Sequence, residues 1–194
     1  MEVLHFRLVG DSPLLMHSSR LANPLDPVVK EIKKITKKGK KKTDEDLASI
    51  FWLEFIGGMY FDEETGPFIP GLNIEGSIRD GAKATKQGKD VQRALAVVED
   101  KIKLVYKGPR KQKELFDGGF VDVRSVRINA STTMRCRPYF REWSTDPFTV
   151  SFDPEKIDAA SVPQFLEQAG RYIGICDGKP RYGKYHAEVV KNGK

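Results

Sequence analysis

The stretch Gly174-Ile-Cys-Asp-Gly-Lys-Pro-Arg-Tyr-Gly-Lys-Tyr185 decides how the end of this chain folds. Residues 162–172 before it carry apolar side chains at helical spacing, and residues 185–190 after it are typical of a strand. The stretch is therefore predicted to be a glycine-rich loop between the last helix and the last strand. Glycine lets a backbone approach a ligand closely, and the cations between these glycines are suited to phosphate.

The remaining elements predict an α+β fold. Strands are expected at residues 3–9, 101–106, 120–128, 132–141 and 148–152, a hairpin at residues 59–69, and helices at residues 44–55, from residue 71 onward and at residues 90–100. In order, the core elements follow the β-α-β-β-α-β plan of a ferredoxin-like (RRM-like) fold with large insertions. We expect a turn at residues 129–131 and a single domain over residues 1–194.

The composition is that of a globular protein. Of its 194 residues, 39% are hydrophobic and 31% are charged, and no apolar run is long enough to cross a bilayer. Since the chain starts with strand-like residues and no signal sequence, we expect a cytoplasmic protein without a membrane partner. Cys136 and Cys176 lack the spacing of a zinc site, so we expect a reduced pair, no metal and no cofactor.

The formal net charge is +6, and the cations are unevenly distributed. Residues 30–42 and residues 124–141 are almost purely basic, whereas acidic residues cluster elsewhere. Segregated charge of this kind favours a polyanionic partner. Residues 30–42 are predicted to form a mobile basic arm inside a basic insertion at about residues 18–45. A Thr43 cap with Asp46 three residues later is predicted to start the helix that follows.

Three motifs, together with the basic region between residues 30 and 141, resemble the RAMP superfamily, the RNA-recognition-motif-like proteins of CRISPR ribonucleoproteins. The first is Phe6-Arg-Leu-Val-Gly-Asp-Ser-Pro-Leu-Leu15, similar to the opening strand and turn of the family. The second is Pro67-Phe-Ile-Pro-Gly-Leu-Asn-Ile-Glu-Gly-Ser-Ile-Arg79, which resembles the start of the first family helix and is the most specific of the three. The third is the glycine-rich loop.

This resemblance implies a single RAMP-like domain that serves as an RNA-binding backbone subunit of a CRISPR-type RNA-guided complex. Such a subunit holds single-stranded guide RNA by its phosphates, assembles head to tail as a homo-oligomer, and contacts other ribonucleoprotein subunits. Two alternatives stay open. One is a solitary virus-borne homologue that inhibits complex assembly or coats single-stranded nucleic acid. The other is a metal-independent endoribonuclease.

Residues suited to holding RNA occur on the predicted arm, the helix that starts near residue 71, the central strands and the glycine-rich loop. Amides at a helix start and nearby cations bind phosphates, and an exposed ring such as Tyr182 stacks on a base. The predicted RNA-binding residues are Lys37, Lys38, Lys41, Asn73, Arg79, Lys83, Arg124, Arg127, Arg135, Arg137, Lys179, Arg181, Tyr182 and Lys184.

Enzyme chemistry has little support in this sequence. His17 lies in a loop after the first strand, where some RAMP endoribonucleases use a histidine as general acid or base. Asp26 lies in the same loop, and in some CRISPR backbone subunits a loop aspartate assists cleavage of target RNA. Because an isolated histidine or aspartate in a loop is usually solvated or caps a turn, we expect neither to be catalytic.

Overall fold

The computed structural model describes residues 1–128 and 131–191, and the chain divides into two compact units. The first unit contains Met1–Leu14, Phe61–Lys107 and the described residues from Arg141 onward. The second contains Leu15–Tyr60 and the described part of Gly108–Phe140, so two insertions in the chain form it. The basic insertion expected near residues 18–45 lies inside Leu15–Tyr60. The single domain over residues 1–194 stays a prediction.

The elements of the first unit are strands and three helices. Its strands are β1 (Glu2–Gly10), β3 (Phe61–Asp62), β4 (Gly66–Pro70), β5 (Leu95–Val97), β6 (Lys101–Val105), β9 (Ser144–Thr145), β10 (Phe148–Phe152) and β11 (Tyr185–Val189). Its helices are α3 (Gly71–Ala82), α4 (Gly88–Ala94) and α6 (Ser161–Gln168), the last extended by a π-helical turn over Ala169–Ile173.

Strand β1 organises an antiparallel sheet. Its first half, from Glu2 to Phe6, pairs with β10, and its second half, from Phe6 to Gly10, pairs with β11. Strand β9 also pairs with β1, on the same side as β10. On their other sides, β9 pairs with β6 and β10 pairs with β5. Strands β4 and β3 extend the sheet beyond β6. The α+β class is thus confirmed. The ferredoxin-like core stays a prediction, with which the chain order β1, α3, β5–β6, β9–β10, α6 and β11 agrees.

The core of the first unit lies between this sheet and helices α3 and α6. Phe6, Leu8 and Phe148 of the sheet and Ile78 and Phe165 of the helices are almost completely buried. Helix α3 packs closely on α6, since a Cβ atom at Gly81 would lie 2.5 Å from the carbonyl oxygen of Phe165. Burial of these large apolar side chains is the main force that holds the two layers together.

The second unit combines three helices with a small sheet. Its elements are β2 (Leu14–Leu15), where the chain passes into this unit, α1 (Pro27–Thr36), α2 (Asp44–Gly58), α5 (Gln112–Asp117), β7 (Val121–Ile128) and β8 (Ser131–Phe140). The sheet has the order β2-β8-β7. Asn129 and Ala130, where the sequence predicts the turn, lie outside the described residues. The rings of Trp52 and Phe55 on α2 each meet Phe116 of α5 edge-on, at 5.3 and 5.2 Å between centroids.

Local signals account for the helices of the second unit. The predicted cap of α2 is confirmed, because the Thr43 hydroxyl accepts a hydrogen bond from the Asp46 amide and the Asp46 carboxylate accepts one from the Thr43 amide. The mobile arm predicted over residues 30–42 is wrong over residues 30–36, which belong to helix α1. Asp26 caps α1, Pro27 is at its first position, and Val29 buries its side chain.

The helix predicted for residues 90–100 is half correct. Helix α4 ends at Ala94, and Leu95–Val97 is strand β5. Residues 95–97 pair with β10, so the partner strand overrides the local helical pattern. No helix in the described ranges is long and apolar enough to span a bilayer.

Candidate nucleic-acid interface

The glycine-rich loop is held in shape by its own backbone. Gly174, Gly178 and Gly183 have φ angles of 80°, 67° and 69°, which residues other than glycine rarely adopt. The Ile175 amide donates a hydrogen bond to the Gly183 carbonyl at 2.9 Å. A Cβ atom at Gly183 would lie only 2.1 Å from the Ile175 carbonyl oxygen. The close packing of the loop on itself therefore requires Gly174 and Gly183, and the backbone conformation favours glycine at all three positions.

Helix α3 anchors the same loop. The Ser77 hydroxyl donates to the Gly174 carbonyl at 2.9 Å, and the Asn73 side-chain amide lies 3.6 Å from the sulfur of Cys176, to which it donates. Burial raises the pKa of the Cys176 thiol to about 12, so the thiol is protonated at neutral pH. In this structure Asn73, a predicted RNA-binding residue, positions the loop.

The loop presents its cations on the surface. Lys179 and Arg181 are exposed, while Tyr182 and Lys184 are half-buried. The Arg181 guanidinium carbon lies 5.9 Å from the centre of the Tyr182 ring, within the range of a cation–π contact. Four predicted residues thus lie along one loop, and two of them, Lys179 and Arg181, are exposed to a ligand.

A basic cleft of about 540 Å³ lies beside the end of α3. It is lined by Arg79, Lys83, Lys86, Gly88, Lys89 and Gln92. Arg79 and Lys83 both form ion pairs with Asp80, at 3.2 and 2.7 Å. Partial burial opposes ionisation of Asp80, but these two cations outweigh it and lower the pKa of the carboxyl group. The basic cleft therefore has four cations, two of which pair with Asp80.

The sequence prediction for this cleft was incomplete. It named Arg79 and Lys83 and omitted Lys86 and Lys89. The spacing of three residues between Lys83, Lys86 and Lys89 was the available signal, because residues three apart lie on one side of a continuous helix. The structure brings them together differently, since Lys86 has a φ of 62° and ends the turn that follows α3.

The four arginines predicted on the central strands do not share one face. Arg124 is directly opposite Arg135, and Arg137 is opposite Asp122, so these three arginines lie on the same face of the β7–β8 hairpin. Arg127 is an odd number of residues from Arg124 and therefore lies on the other face. The four arginines therefore do not line a single groove on one face of this hairpin.

Acidic side chains partner two of these arginines. Asp122 pairs with Arg124, and Glu54 of α2 pairs with Arg135. Glu54 is 96% buried, and its other carboxylate oxygen accepts a hydrogen bond from the Cys136 amide at 2.9 Å. Glu54 was not among the predicted site residues. Its signal was a single carboxylate in the apolar stretch of residues 50–56.

The lysine run contributes unevenly. Lys38 donates to Asp46 at 2.6 Å and so supports the start of α2. Lys37 and Lys41 are exposed, and in the part of the chain that the structure describes neither forms an ion pair. Of the three predicted lysines, Lys37 and Lys41 are therefore the two that remain available to an anion.

Asp26 and His17 occupy different environments. Asp26 accepts hydrogen bonds from Arg20, at 2.9 Å, and from the Val28 amide, at 2.8 Å. The hydrogen bond from Arg20 lowers the pKa of Asp26, so this carboxylate is ionised and caps α1. His17 is exposed and lines a cavity in the second unit. Within residues 1–128 and 131–191, no cluster of three or more metal-ligating side chains occurs.

No family model matches the chain, and no curated protein matches it. The function proposed below therefore rests on the residues and on their positions in the fold.

Proposed function

We propose that this protein binds single-stranded RNA by its phosphates, as a backbone subunit of a CRISPR-type RNA-guided complex. The observation that carries the proposal is the basic cleft beside α3, in which Arg79, Lys83, Lys86 and Lys89 surround one open space. Asp80 neutralises only part of this charge. A concentration of four cations suits a polyanion.

The chemistry of the cleft favours phosphate over base recognition. Lysine ammonium groups act as point charges, and phosphate contacts position a nucleic acid without reading its sequence. An RNA-guided complex needs such a surface, because base pairing of the guide supplies the sequence specificity. Binding through this cleft is expected to be independent of sequence and to weaken steeply with salt.

The glycine-rich loop adds a second set of contacts in the same unit. Its exposed Lys179 and Arg181 are available to phosphates, and the ring of Tyr182 offers a surface on which a base stacks. Because α3 anchors this loop through Ser77 and Asn73, its cations need little ordering when RNA binds.

Contact between two of the family-like motifs supports the guide-complex part of the proposal. Ser77 belongs to the motif at residues 67–79, and Gly174 opens the glycine-rich loop. Their direct hydrogen bond shows that segments about a hundred residues apart in sequence form one structural unit. The proposed subunit assembles head to tail along its RNA with other copies of this chain.

The RNA-binding test uses fluorescence anisotropy with two single-stranded RNAs of unrelated sequence, each titrated over a range of salt concentrations. The Lys83→Ala, Lys89→Ala double variant is expected to weaken binding to both RNAs equally. The slope of log affinity against log salt should fall by about 1.4, since each phosphate contact on a single strand contributes about 0.7. Arg79→Ala and the Lys179→Ala, Arg181→Ala pair should act in the same direction.

Lys156→Ala is the matched control, because it removes an exposed cation from the first unit outside the lining of the basic cleft. Its affinity and salt slope should equal those of the wild type. Loss of binding to one RNA sequence alone, or an affinity that does not change with salt, would contradict phosphate recognition.

A second experiment separates the subunit from the alternatives. The protein is purified at moderate salt, and any nucleic acid that accompanies it is digested with RNase or DNase. The size of the particle is measured before and after this digestion. A large particle with discrete RNA supports the guide-bound subunit, and a nucleic-acid-free monomer contradicts it. Mixing with CRISPR complex subunits from the same source then distinguishes incorporation, expected of a subunit, from stalled assembly, expected of an inhibitor.

A further inference from the structure

The second unit contains a cavity of about 210 Å³ between helix α1, helix α2 and strand β8. We call it the α1–β8 pocket. It is lined by His17, Leu21, Val29, Ile32, Lys33, Glu54, Arg135, Cys136 and Arg137. Its volume is below the roughly 300–1,000 Å³ of pockets that take drug-sized ligands, so only a small molecule fits inside it.

Glu54 determines how Arg135 is presented in this pocket. One carboxylate oxygen of Glu54 accepts from Nη1 of Arg135, and the other accepts from the Cys136 amide. Both oxygens are therefore occupied, and Glu54 orients the guanidinium. Among the described residues, Glu54 is the only acceptor for the Arg135 side chain, so the Nε and Nη2 donors of Arg135 are available to a ligand.

The charge of the lining selects an anion. Lys33, Arg135 and Arg137 are cations, and Glu54 is the single carboxylate among the lining residues. A guanidinium fixed by a buried carboxylate is well suited to carboxylate or phosphate, because its planar donors match two oxygens of the ligand. The small volume leaves room for one such group.

The wall formed by α1 and the segment before it has the opposite character. Leu21, Val29 and Ile32 line it, and Val29 is only 7% exposed. An inorganic anion would leave these side chains against water, whereas a ligand with an apolar group would cover them. Pockets of this kind, apolar with a few oriented polar groups, are typical of small-molecule sites.

We propose that the α1–β8 pocket binds a small organic anion, in which one carboxylate or phosphate group is attached to a short apolar group. The anionic group lies against Arg135, and the apolar group covers Val29 and Ile32. This site lies within the second unit and does not depend on RNA binding by the basic cleft of the first unit. The ligand is a free small molecule.

The test measures binding of phenyl phosphate by isothermal titration calorimetry. Inorganic phosphate and benzyl alcohol are titrated separately, because each represents one half of the probe. Phenyl phosphate should bind with one molecule per chain and at least about tenfold more tightly than either half, since both walls of the pocket contribute. Equal affinity for phenyl phosphate and inorganic phosphate would overturn the proposal.

Two variants locate the site. Ile32→Trp fills the pocket and should abolish binding of phenyl phosphate. Arg135→Lys keeps a cation beside Glu54 but removes the planar fork, so it should weaken binding about tenfold. Lys40→Ala, which removes an exposed cation from the same unit outside the lining, is the matched control and should bind like the wild type. Unchanged binding in both pocket variants would overturn the proposal.

A measurement on the wild-type protein covers the case in which these variants do not fold. Addition of phenyl phosphate should shift the NMR amide resonances of Val29, Cys136 and Arg137. Benzyl alcohol at the same concentration should shift them less. Shifts confined to residues outside the pocket lining would overturn the assignment of the site.

Discussion

Ser77 and Tyr185 are joined by a hydrogen bond of 3.0 Å inside the first unit. Because the Ser77 hydroxyl donates its proton to the Gly174 carbonyl, Tyr185 is the donor to Ser77. Burial raises the pKa of Tyr185, which keeps the phenol protonated and able to donate. A single chain of hydrogen bonds therefore connects β11, α3 and the start of the glycine-rich loop.

Substitution of Ser77 should destabilise the protein more than substitution of Tyr185. Ser77→Ala leaves the Tyr185 hydroxyl and the Gly174 carbonyl buried without their partner, and we expect a loss of about 2 kcal/mol in the free energy of unfolding. Tyr185→Phe leaves the hydrogen bond from Ser77 to the Gly174 carbonyl intact and should lower the free energy of unfolding by about 1 kcal/mol. Urea denaturation measures both. The double variant should lose less than the sum, and full additivity would contradict this coupling.

Gly183→Ala tests the close packing of the glycine-rich loop. Both Gly183 and Gly66 have positive φ angles, but a Cβ atom would meet the Ile175 carbonyl at Gly183 and nothing within 4 Å at Gly66. Gly66→Ala should cost about 1 kcal/mol from backbone strain, and Gly183→Ala should cost about 1–3 kcal/mol more from the steric overlap. Thermal denaturation compares the two, and equal losses would contradict the argument.

The same loop variant has a functional consequence under the proposed function. Displacement of Gly183 should move Lys179 and Arg181, so RNA affinity in Gly183→Ala should fall while that of Gly66→Ala stays at the wild-type value. The anisotropy assay at one salt concentration measures this difference.

Glu54→Gln tests the buried ion pair of the second unit. The glutamine keeps an oxygen for the Cys136 amide but removes the charge that faces Arg135. Loss of one partner of a fully buried pair costs about 3–5 kcal/mol, and the side chain of Arg135 is 34% exposed, so we expect a smaller loss of about 1–3 kcal/mol. Asp44→Asn at the exposed start of the same helix is the control. Chemical denaturation of the two variants is the measurement, and equal stabilities would contradict the role of Glu54.

Asp62 should make the first unit sensitive to acid. A hydrogen bond from Lys101 lowers the pKa of Asp62 from its ordinary 3.8 to about 2. A carboxyl group whose pKa is lower in the folded state stabilises the protein at pH values above its pKa in the unfolded state. This contribution is lost as the pH falls from 3.8 to about 2. The difference in unfolding free energy between the wild type and Asp62→Asn should shrink over that interval. A difference that does not change with pH, or an equal pH effect of Glu64→Gln in the same hairpin, would contradict this.

Elements with local signals were predicted well. Strand β1 follows from its apolar residues and the turn after Gly10, and the start of helix α2 follows from the Thr43 cap. Helix α2 continues through Gly57 and Gly58, beyond its predicted end at residue 55. The hairpin of β3 and β4 was predicted for the same reason. In each case the residues that decide the element are neighbours in the chain.

The prediction for residues 30–42 shows how a strong composition signal hides a local one. Asp26 followed by Pro27 is a helix start, and Val29, Ile32 and Ile35 recur at helical spacing. The lysines between them favoured an irregular arm, although cations on the outer side of a helix are compatible with it. The apolar side, which buries Val29, decides the structure.

The candidate site was only partly accessible from the sequence. Arg79, Lys179 and Arg181 stand in motifs and were selected, and Lys83 was selected on the helix that starts near residue 71. Lys89 lines the basic cleft from helix α4, beyond Lys86, whose left-handed conformation ends the turn after α3. The pairing of Glu54 with Arg135 joins residues 81 positions apart, and no local pattern predicts such a pair.

The amino-acid sequence thus specified the class of the fold, the order of its core elements and the glycines that the final loop requires, because propensities, caps and turns act between residues close in the chain. The split of the arginines over two faces of a hairpin, the replacement of a predicted helix by β5, and the two pockets arose from folding. Each depends on strand register or on side chains from distant segments, which packing against the core brings together.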